Sequence, residues 1–309
     1  MTGSHRPKPA AFLLVPVAFA IVLALFAWPN AELGPRDLPI GVAGPAAQTR
    51  TIEQGLAARG EAFDVHRYAD EAAAREAIED REVYGAFVAT PGGPKALTAS
   101  AASVPVTALL THAAAETDAA VEDVVPAAAR AGALPSAVLP LVIGGILVGV
   151  ASIALATSPL QRAGFVLGGA LLTGLTAAVL VQGWLDVIGG DWAANAAVLA
   201  LVVAAIAGTI AGLEAVLGKP GIALGALTMV FVGNPFSGAA AGPHMLPEPA
   251  GLIGQLLPPG AGSNLLRSTG YFDGAGAAGH LAVLAVWAFA GLGLLVVAHR
   301  RAHRSALAG

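Results

Sequence analysis

Between Ser136 and Ala298 the formal charges are Arg162, Asp186, Asp191, Glu214, Lys219, Glu248, Arg267 and Asp273, and the long runs between or beside them carry none. A bilayer hydrocarbon core about 30 Å thick is crossed by about 20 apolar residues of helix. The runs have that length. They are apolar on every side, which a helix tolerates only where its whole surface is buried in protein or lipid. The chain therefore reads as an α-helical polytopic membrane protein.

Composition agrees: 56% of the 309 residues are hydrophobic, 12% are charged and the mean hydropathy is +0.73, whereas soluble domains carry about 25% charge. Cysteine is absent, which excludes a disulfide framework, a thiolate metal site and a thiol nucleophile. Residues 31–135 hold 8 Lys/Arg against 15 Asp/Glu, a net of −7, while the remainder nets +3. One acidic soluble domain on a slightly basic membrane body follows. No basic cluster is large enough to track a nucleic-acid backbone, so nucleic acid is not an expected partner.

Met1–Pro9 is short and polar, with His5, Arg6 and Lys8, and Ala10–Trp28 is apolar. A signal-peptide core runs about 7 to 15 apolar residues to a small-x-small cleavage site. This run is longer and ends in Trp28-Pro-Asn, so an uncleaved first span is expected, its N-terminus held in the cytoplasm by the preceding cations. From Leu38 the pattern is α/β: strands at 38–42, 63–68, 83–89 and around 96–101, and helices at 48–59, 70–82 and from Pro105 to a kink or end at Pro126. Strand–helix alternation predicts parallel pairing through crossovers. Gly41 and Gly44 echo a dinucleotide fingerprint but lack its third glycine and its spacing. His66 and His112 have no second metal ligand at helical spacing.

Five more spans are expected at 136–158, 163–185, 192–213, 220–232 and 280–298. With the N-terminus inside, the loops bearing Arg162 and Lys219 and the tail of His299, Arg300, Arg301, His303 and Arg304 fall in the cytoplasm. Asp186, Asp191 and the acidic domain fall outside, in agreement with the positive-inside rule. The expected organisation is a cytoplasmic N-terminus and first helix (1–30), an extracytoplasmic α/β domain (31–135) and a five-helix membrane domain (136–309). In the spans, Gly208 and Gly212 form a small-xxx-small pair that allows close helix approach.

Residues 234–279 are placed outside yet are largely apolar, and structureless loops of that length are uncommon unless functional. Their apolar pieces are too short to cross a bilayer, so the segment is expected to re-enter or lie along the outer interface. It serves either as a lid over an exit path or as a static plug.

The chain resembles the membrane subunits of type-2 ABC exporters, in particular the branch of phage-infection-protein-like membrane proteins. One span, an outer α/β insert and five further spans carry the likeness. In the insert the matching residues are Leu38-Pro-Ile-Gly-Val-Ala, Glu61-Ala-Phe-Asp-Val-His-Arg-Tyr-Ala-Asp and Ala77-Ile-Glu-Asp-Arg-Glu-Val-Tyr-Gly-Ala-Phe-Val, and the outer segment opens at Asn234-Pro-Phe-Ser-Gly. The resemblance implies outward export of a hydrophobic or amphipathic molecule across the cell membrane, by a homodimer or heterodimer powered by separate ATPase subunits. The sequence contains no G-x-x-x-x-G-K-[ST] motif of its own. It is expected to be a permease rather than an enzyme, without cofactor or metal. The family docks its ATPase through a coupling helix and an N-terminal amphipathic helix, whereas here the cytoplasmic loops are short.

Arg162, Glu214 and Lys219 are the candidate ATPase contacts or interfacial anchors, because charge at a membrane boundary is a functional suspect. Glu214 and Lys219 are spaced for an ion pair if the helix unwinds at Gly218. Asn234, Pro235, His244 and Arg267 are the candidate outer gate. A receptor or scaffold that binds a partner through its outer domain is the alternative, favoured by the small cytoplasmic surface and disfavoured by five spans beyond the one an anchor needs. A membrane-embedded hydrolase lacks paired carboxylates or a nucleophile and base in the spans. A proton-coupled carrier lacks an acidic or histidine relay there.

Overall fold

A computed structural model describes residues 10–308, and the side chains of residues 14–300. The terminal cations His5, Arg6, Lys8, Arg301, His303 and Arg304, on which the expected sidedness leans, lie outside the described side chains. Helix α1 (Ala10–Ala31) is apolar all round, and only 6% of its Leu14–Ala31 stretch is buried in the protein. It meets the rest of the chain near its C-terminal end, where Phe26 and Trp28 pack edge-on against Phe231 and Phe236.

The α/β domain follows as β1 (Leu38–Ala43), α2 (Ala46–Ala57), β2 (Phe63–Tyr68), α3 (Glu71–Glu79), β3 (Gly85–Thr90), β4 (Gly93–Thr98), α4 (Val104–Ala115) and β5 (Ala120–Asp123). Asp70 caps α3, its carboxylate accepting from the Ala73 amide at 2.9 Å, and Ser103 caps α4 with Pro105 in the first turn. These are the start signals that side-chain oxygens and proline supply. The sheet order is β2-β1-β3-β4-β5, with β1 parallel to both β2 and β3.

Two expectations fail here. Strand β4 is antiparallel to β3, because the tight Pro91-Gly92 turn leaves no room for the dozen-residue crossover a parallel neighbour needs. Helix α4 stops at Ala115 rather than near Pro126, and the chain turns through Asp118 (φ 49°) into β5, which pairs parallel with β4. That pairing covers an edge that would otherwise stand open.

The bundle contains α5 (Leu134–Leu155), α6 (Pro159–Ala178), α7 (Trp192–Leu217), α8 (Lys219–Leu227), α9 (Ala250–Gln255), α10 (Pro258–Tyr271) and α11 (Ala277–Ala308). α6 and α8 each run on into a π-helical segment, Val179–Trp184 and Thr228–Gly233. Among the described residues, α1, α5, α6, α7 and α11 are long and apolar enough to cross a membrane. The span expected at 220–232 is an apolar helix of Lys219–Gly233, about 22 Å at 1.5 Å per residue. It is shorter than a hydrocarbon core.

α7 is the axis of the bundle, with 78% of its span buried. Small residues set how closely its neighbours come. A Cβ on Gly291 of α11 would lie 2.3 Å from the Gly208 carbonyl carbon, and one on Gly174 of α6 would lie 2.4 Å from the Ala200 amide nitrogen. No side chain fits at either crossing, so backbone packs on backbone, the arrangement small-residue pairs favour between membrane helices.

The segment between α8 and α11 is sewn into the sheet domain. Ala241 and Met245 join the core on the α2/α4 side of the sheet, and Phe272 joins the core on the α3 side. The Ser103 hydroxyl donates to the Ala241 carbonyl at 2.7 Å, and the amides of Gly34 and Arg36 donate to the carbonyls of Met245 and His244. The domain and this segment therefore share one packed interior.

Candidate functional site

Helix α10 begins with Pro258 and Pro259, residues whose fixed φ suits a first turn and whose missing amides are not needed there. It follows α9 after a short turn and packs against α7, where a Cβ on Gly262 would meet Val202 at 2.4 Å. The helix separates two cavities of opposite character. On one side Pro259, Gly262, Ser263 and Leu266 line a groove of about 440 Å³ shared with α5, α6 and α7, almost wholly apolar. On the other side Asn264 faces a cavity of about 450 Å³ at the junction with the sheet domain, lined also by Arg81, His244, Glu248, Gln255 and His280.

A chain of hydrogen bonds runs along the wall of the polar cavity. Arg81 sits in the turn between α3 and β3 with φ 61°. Its guanidinium donates to the Asn264 backbone carbonyl at 3.0 Å and to Asn264 Oδ1 at 3.2 Å, and lies 5.2 Å from the centre of the Phe272 ring. Asn264 Nδ2 donates to Gln255 Oε1 at 2.7 Å, and Gln255 Nε2 donates to the Ser237 carbonyl at 3.0 Å. One domain residue thereby holds α10, α9 and the Asn234–Gly238 turn together. Burial pulls the Arg81 pKa below the ordinary arginine value, opposed by the nearby Tyr84. Burial likewise raises the Tyr84 phenol, opposed by Arg81 and Arg267.

The four expected gate residues fall in different places. His244 lines the polar cavity, its ring edge-on to Tyr84 with centres 5.8 Å apart. Arg267 is 6% exposed and donates through Nη2 to the Ala239 carbonyl, while its Nη1 finds no partner. Among the described residues neither Arg81 nor Arg267 has a carboxylate within ion-pair distance. Asn234 and Pro235 lie outside both cavities. Asn234 ends the second π-helical segment, its amide donating to the Met229 carbonyl and its carbonyl accepting from the Ser237 hydroxyl at 2.8 Å.

At the end of the bundle away from the sheet domain, Arg162 and Glu214 meet at 2.5 Å with side chains 21% and 18% exposed. Arg162 Nε is buried without a partner. Gly218 does break the helix (φ 69°), yet Glu214 pairs with Arg162 across α6 and α7, and Lys219 stands exposed with no ion pair among those described. The expected Glu214–Lys219 pair does not form because the bundle offers a closer cation.

Sequence reading missed Arg81, Asn264 and Gln255. Asp80-Arg81-Glu82 reads as the end of the helix expected at 70–82, and the partner of Arg81 is 183 residues away in the chain. The Pro258-Pro259 helix start was the one local sign that α10 existed. Among the described residues no cluster of three or more His, Cys, Asp or Glu is placed to hold a metal.

No curated protein and no solved structure matches the chain. A match that covers α1 and the whole sheet domain, and ends before α5, makes residues 10–131 similar to the family described as ABC-2 family transporter protein and supports a permease role for this membrane protein.

Proposed function

We propose that the chain is the membrane subunit of a type-2 ABC exporter, in the phage-infection-protein-like branch, moving a hydrophobic or amphipathic substrate outward as a dimer with separate ATPase subunits. The observation that carries this reading is helix α10, with an apolar groove on one face and a polar cavity on the other. An amphipathic cargo requires both environments side by side. α10 stops short of crossing and is tied to the sheet domain through Arg81 and Asn264, which makes it the element to displace for passage. Arg267 and His244 then stand at the exit. The Arg162–Glu214 pair with Lys219 forms the face presented to an ATPase. In this reading the termini are in the cytoplasm, the sheet domain is outside, and Lys219–Gly233 with the following segment makes the sixth crossing.

Two measurements test it. The sequence has no cysteine, so single substitutions Ala57→Cys and Lys219→Cys, both at exposed positions, report sidedness to a membrane-impermeant maleimide in whole cells. Ala57→Cys is expected to label and Lys219→Cys to stay unlabelled until the cells are opened. Co-expression with an ATPase encoded beside the gene is expected to yield a co-purifying complex whose ATP hydrolysis is weakened by Arg162→Glu. Labelling in the opposite order, or a chain that purifies with no ATPase, sinks the exporter reading. The second outcome moves weight to a scaffold whose sheet domain binds a partner in the cleft of about 450 Å³ between α2 and α4.

A further inference from the structure

We infer that the apolar groove between α5, α6, α7 and α10 holds one acyl chain of an anionic phospholipid, with the lipid phosphate on Arg130. The inference rests on the chain lying in a membrane and is independent of export.

Length is the first ground. Along α5 the groove runs from Ala133 to Val142, about 13.5 Å at 1.5 Å per residue. A hydrocarbon core about 30 Å thick gives each leaflet about half that depth. The groove is one leaflet deep.

Chemistry is the second. Of the four hydroxyls on its wall, three are already engaged by carbonyls of their own turn or helix, Ser136 with Ala133 at 2.7 Å, Thr176 with Leu172 at 2.8 Å and Ser263 with Pro259 at 2.7 Å, which leaves Thr173 as a single polar group. Water needs two to four polar partners to reside in a cavity, and this wall does not offer them. An occupant of the groove is therefore apolar along its length. The π-helical segment Val179–Trp184 borders the groove through Leu180 and Val181, an insertion of the kind that recurs where a helix wall is shaped for a ligand.

The mouth supplies the third ground. Trp184 and Trp192 are 72% and 41% exposed at this end of α6 and α7, the position at which aromatic side chains mark a membrane–water interface. Arg130 sits one short turn before α5. Its Nη1 donates to the carbonyl of Leu185, a residue of the groove wall, at 3.4 Å. Among the described residues no acidic side chain forms an ion pair with it. An exposed guanidinium without an acidic partner among the described residues, above a slot one acyl chain deep, is complementary to a phosphodiester carrying net negative charge.

The test uses the whole protein in vesicles of phosphatidylglycerol or of phosphatidylcholine, each doped with the same lipid bearing a photoreactive diazirine on one acyl chain. Labelled peptides are mapped by mass spectrometry, with the lipid-exposed face of α1 as the depth-matched control. Groove peptides from α5 and α6 are expected to label more than α1, and to do so about fivefold more with phosphatidylglycerol, the preference one exposed charge contact of about 1 kcal/mol supplies. Arg130→Gln, an exposed change that leaves the core untouched, is expected to erase the preference for the anionic lipid and keep the labelling. Ala177→Leu, which fills the groove, is expected to lower labelling in both lipids. Equal labelling of groove and α1, or an anionic preference that survives Arg130→Gln, overturns the proposal. So does a disulfide between copies of an Ala137→Cys variant, which would show a second chain in the groove. No ATPase enters these measurements, so failure of the exporter reading leaves a distinct result.

Discussion

The bond network around Asn264 makes a prediction in which the direction of asymmetry matters more than the size. Replacing Asn264 by Leu removes the 3.2 Å bond from Arg81 to Oδ1 and the 2.7 Å bond to Gln255, while the buried guanidinium keeps its bond to the backbone carbonyl. A lost bond to a charged group costs about 1.5–3 kcal/mol and a lost neutral one about 1, so Asn264→Leu is expected to cost about 2.5–4 kcal/mol. Replacing Arg81 by Met removes the charge together with its bonds, and a buried cation without an acidic partner is itself expensive to desolvate. The Asn264 acceptors it strands cost about as much as the relieved desolvation of the guanidinium returns, so that variant is expected within about 1 kcal/mol of the parent. Combining the two leaves the orphaned Gln255 carbonyl as the main loss. The coupling in the double-mutant cycle is then about 1.5–3 kcal/mol. Amide hydrogen exchange of α10 in detergent or lipid reads this directly, because 1.4 kcal/mol is about a tenfold change in local opening. Asn264→Leu should speed exchange about 60- to 700-fold, with Arg81→Met in the same chain bringing most of it back. Additive effects of the two substitutions would refute the reasoning, as would an Arg81→Met variant as labile as Asn264→Leu.

Two further outcomes follow from the geometry. Gly291→Ala puts a Cβ 2.3 Å from the Gly208 carbonyl carbon while Gly293→Ala meets open space, so the first is expected to lose about 1–3 kcal/mol through overpacking and the second to be neutral or gain a few tenths in thermal unfolding; equal effects would remove the claim that backbone contact sets the α7–α11 distance. In the sheet domain, Glu122 is held below the ordinary carboxylate value by hydrogen bonds first from Lys95 and then from Arg75. Its folded form resists protonation, so its stabilisation is whole above the ordinary value of 4.5 and is lost as the pH falls below that value. Glu122→Gln should flatten this acid-side loss in a pH series of unfolding, and an unchanged slope would show the network to be inert.

Local signals placed several elements well. Asp70 announced its helix because a side-chain oxygen at that position satisfies an amide of the first turn, and Pro105 announced the next because its fixed φ suits a first turn. Val83–Ala89 was readable as a covered strand for its apolar run. Ala120–Asp123 was not, since four residues carry no usable alternation and the strand exists to pair with β4. The fate of 234–279 was half legible: its short apolar pieces excluded a crossing, while its insertion into both cores of the sheet domain had no sequence mark.

The sequence alone determined that long helices must be covered on every side, because hydrophobic periodicity is a property of the chain itself. Which of them protein covers and which it leaves bare was decided by the tertiary structure. α1 and α7 carry the same uncharged pattern, yet 6% of one span and 78% of the other is buried. The same holds for charge: Arg81 and Glu214 were visible as residues, but their partners lie 183 and 52 positions away. A contact between distant positions costs chain entropy that only the packed whole repays, so no local stretch could announce it.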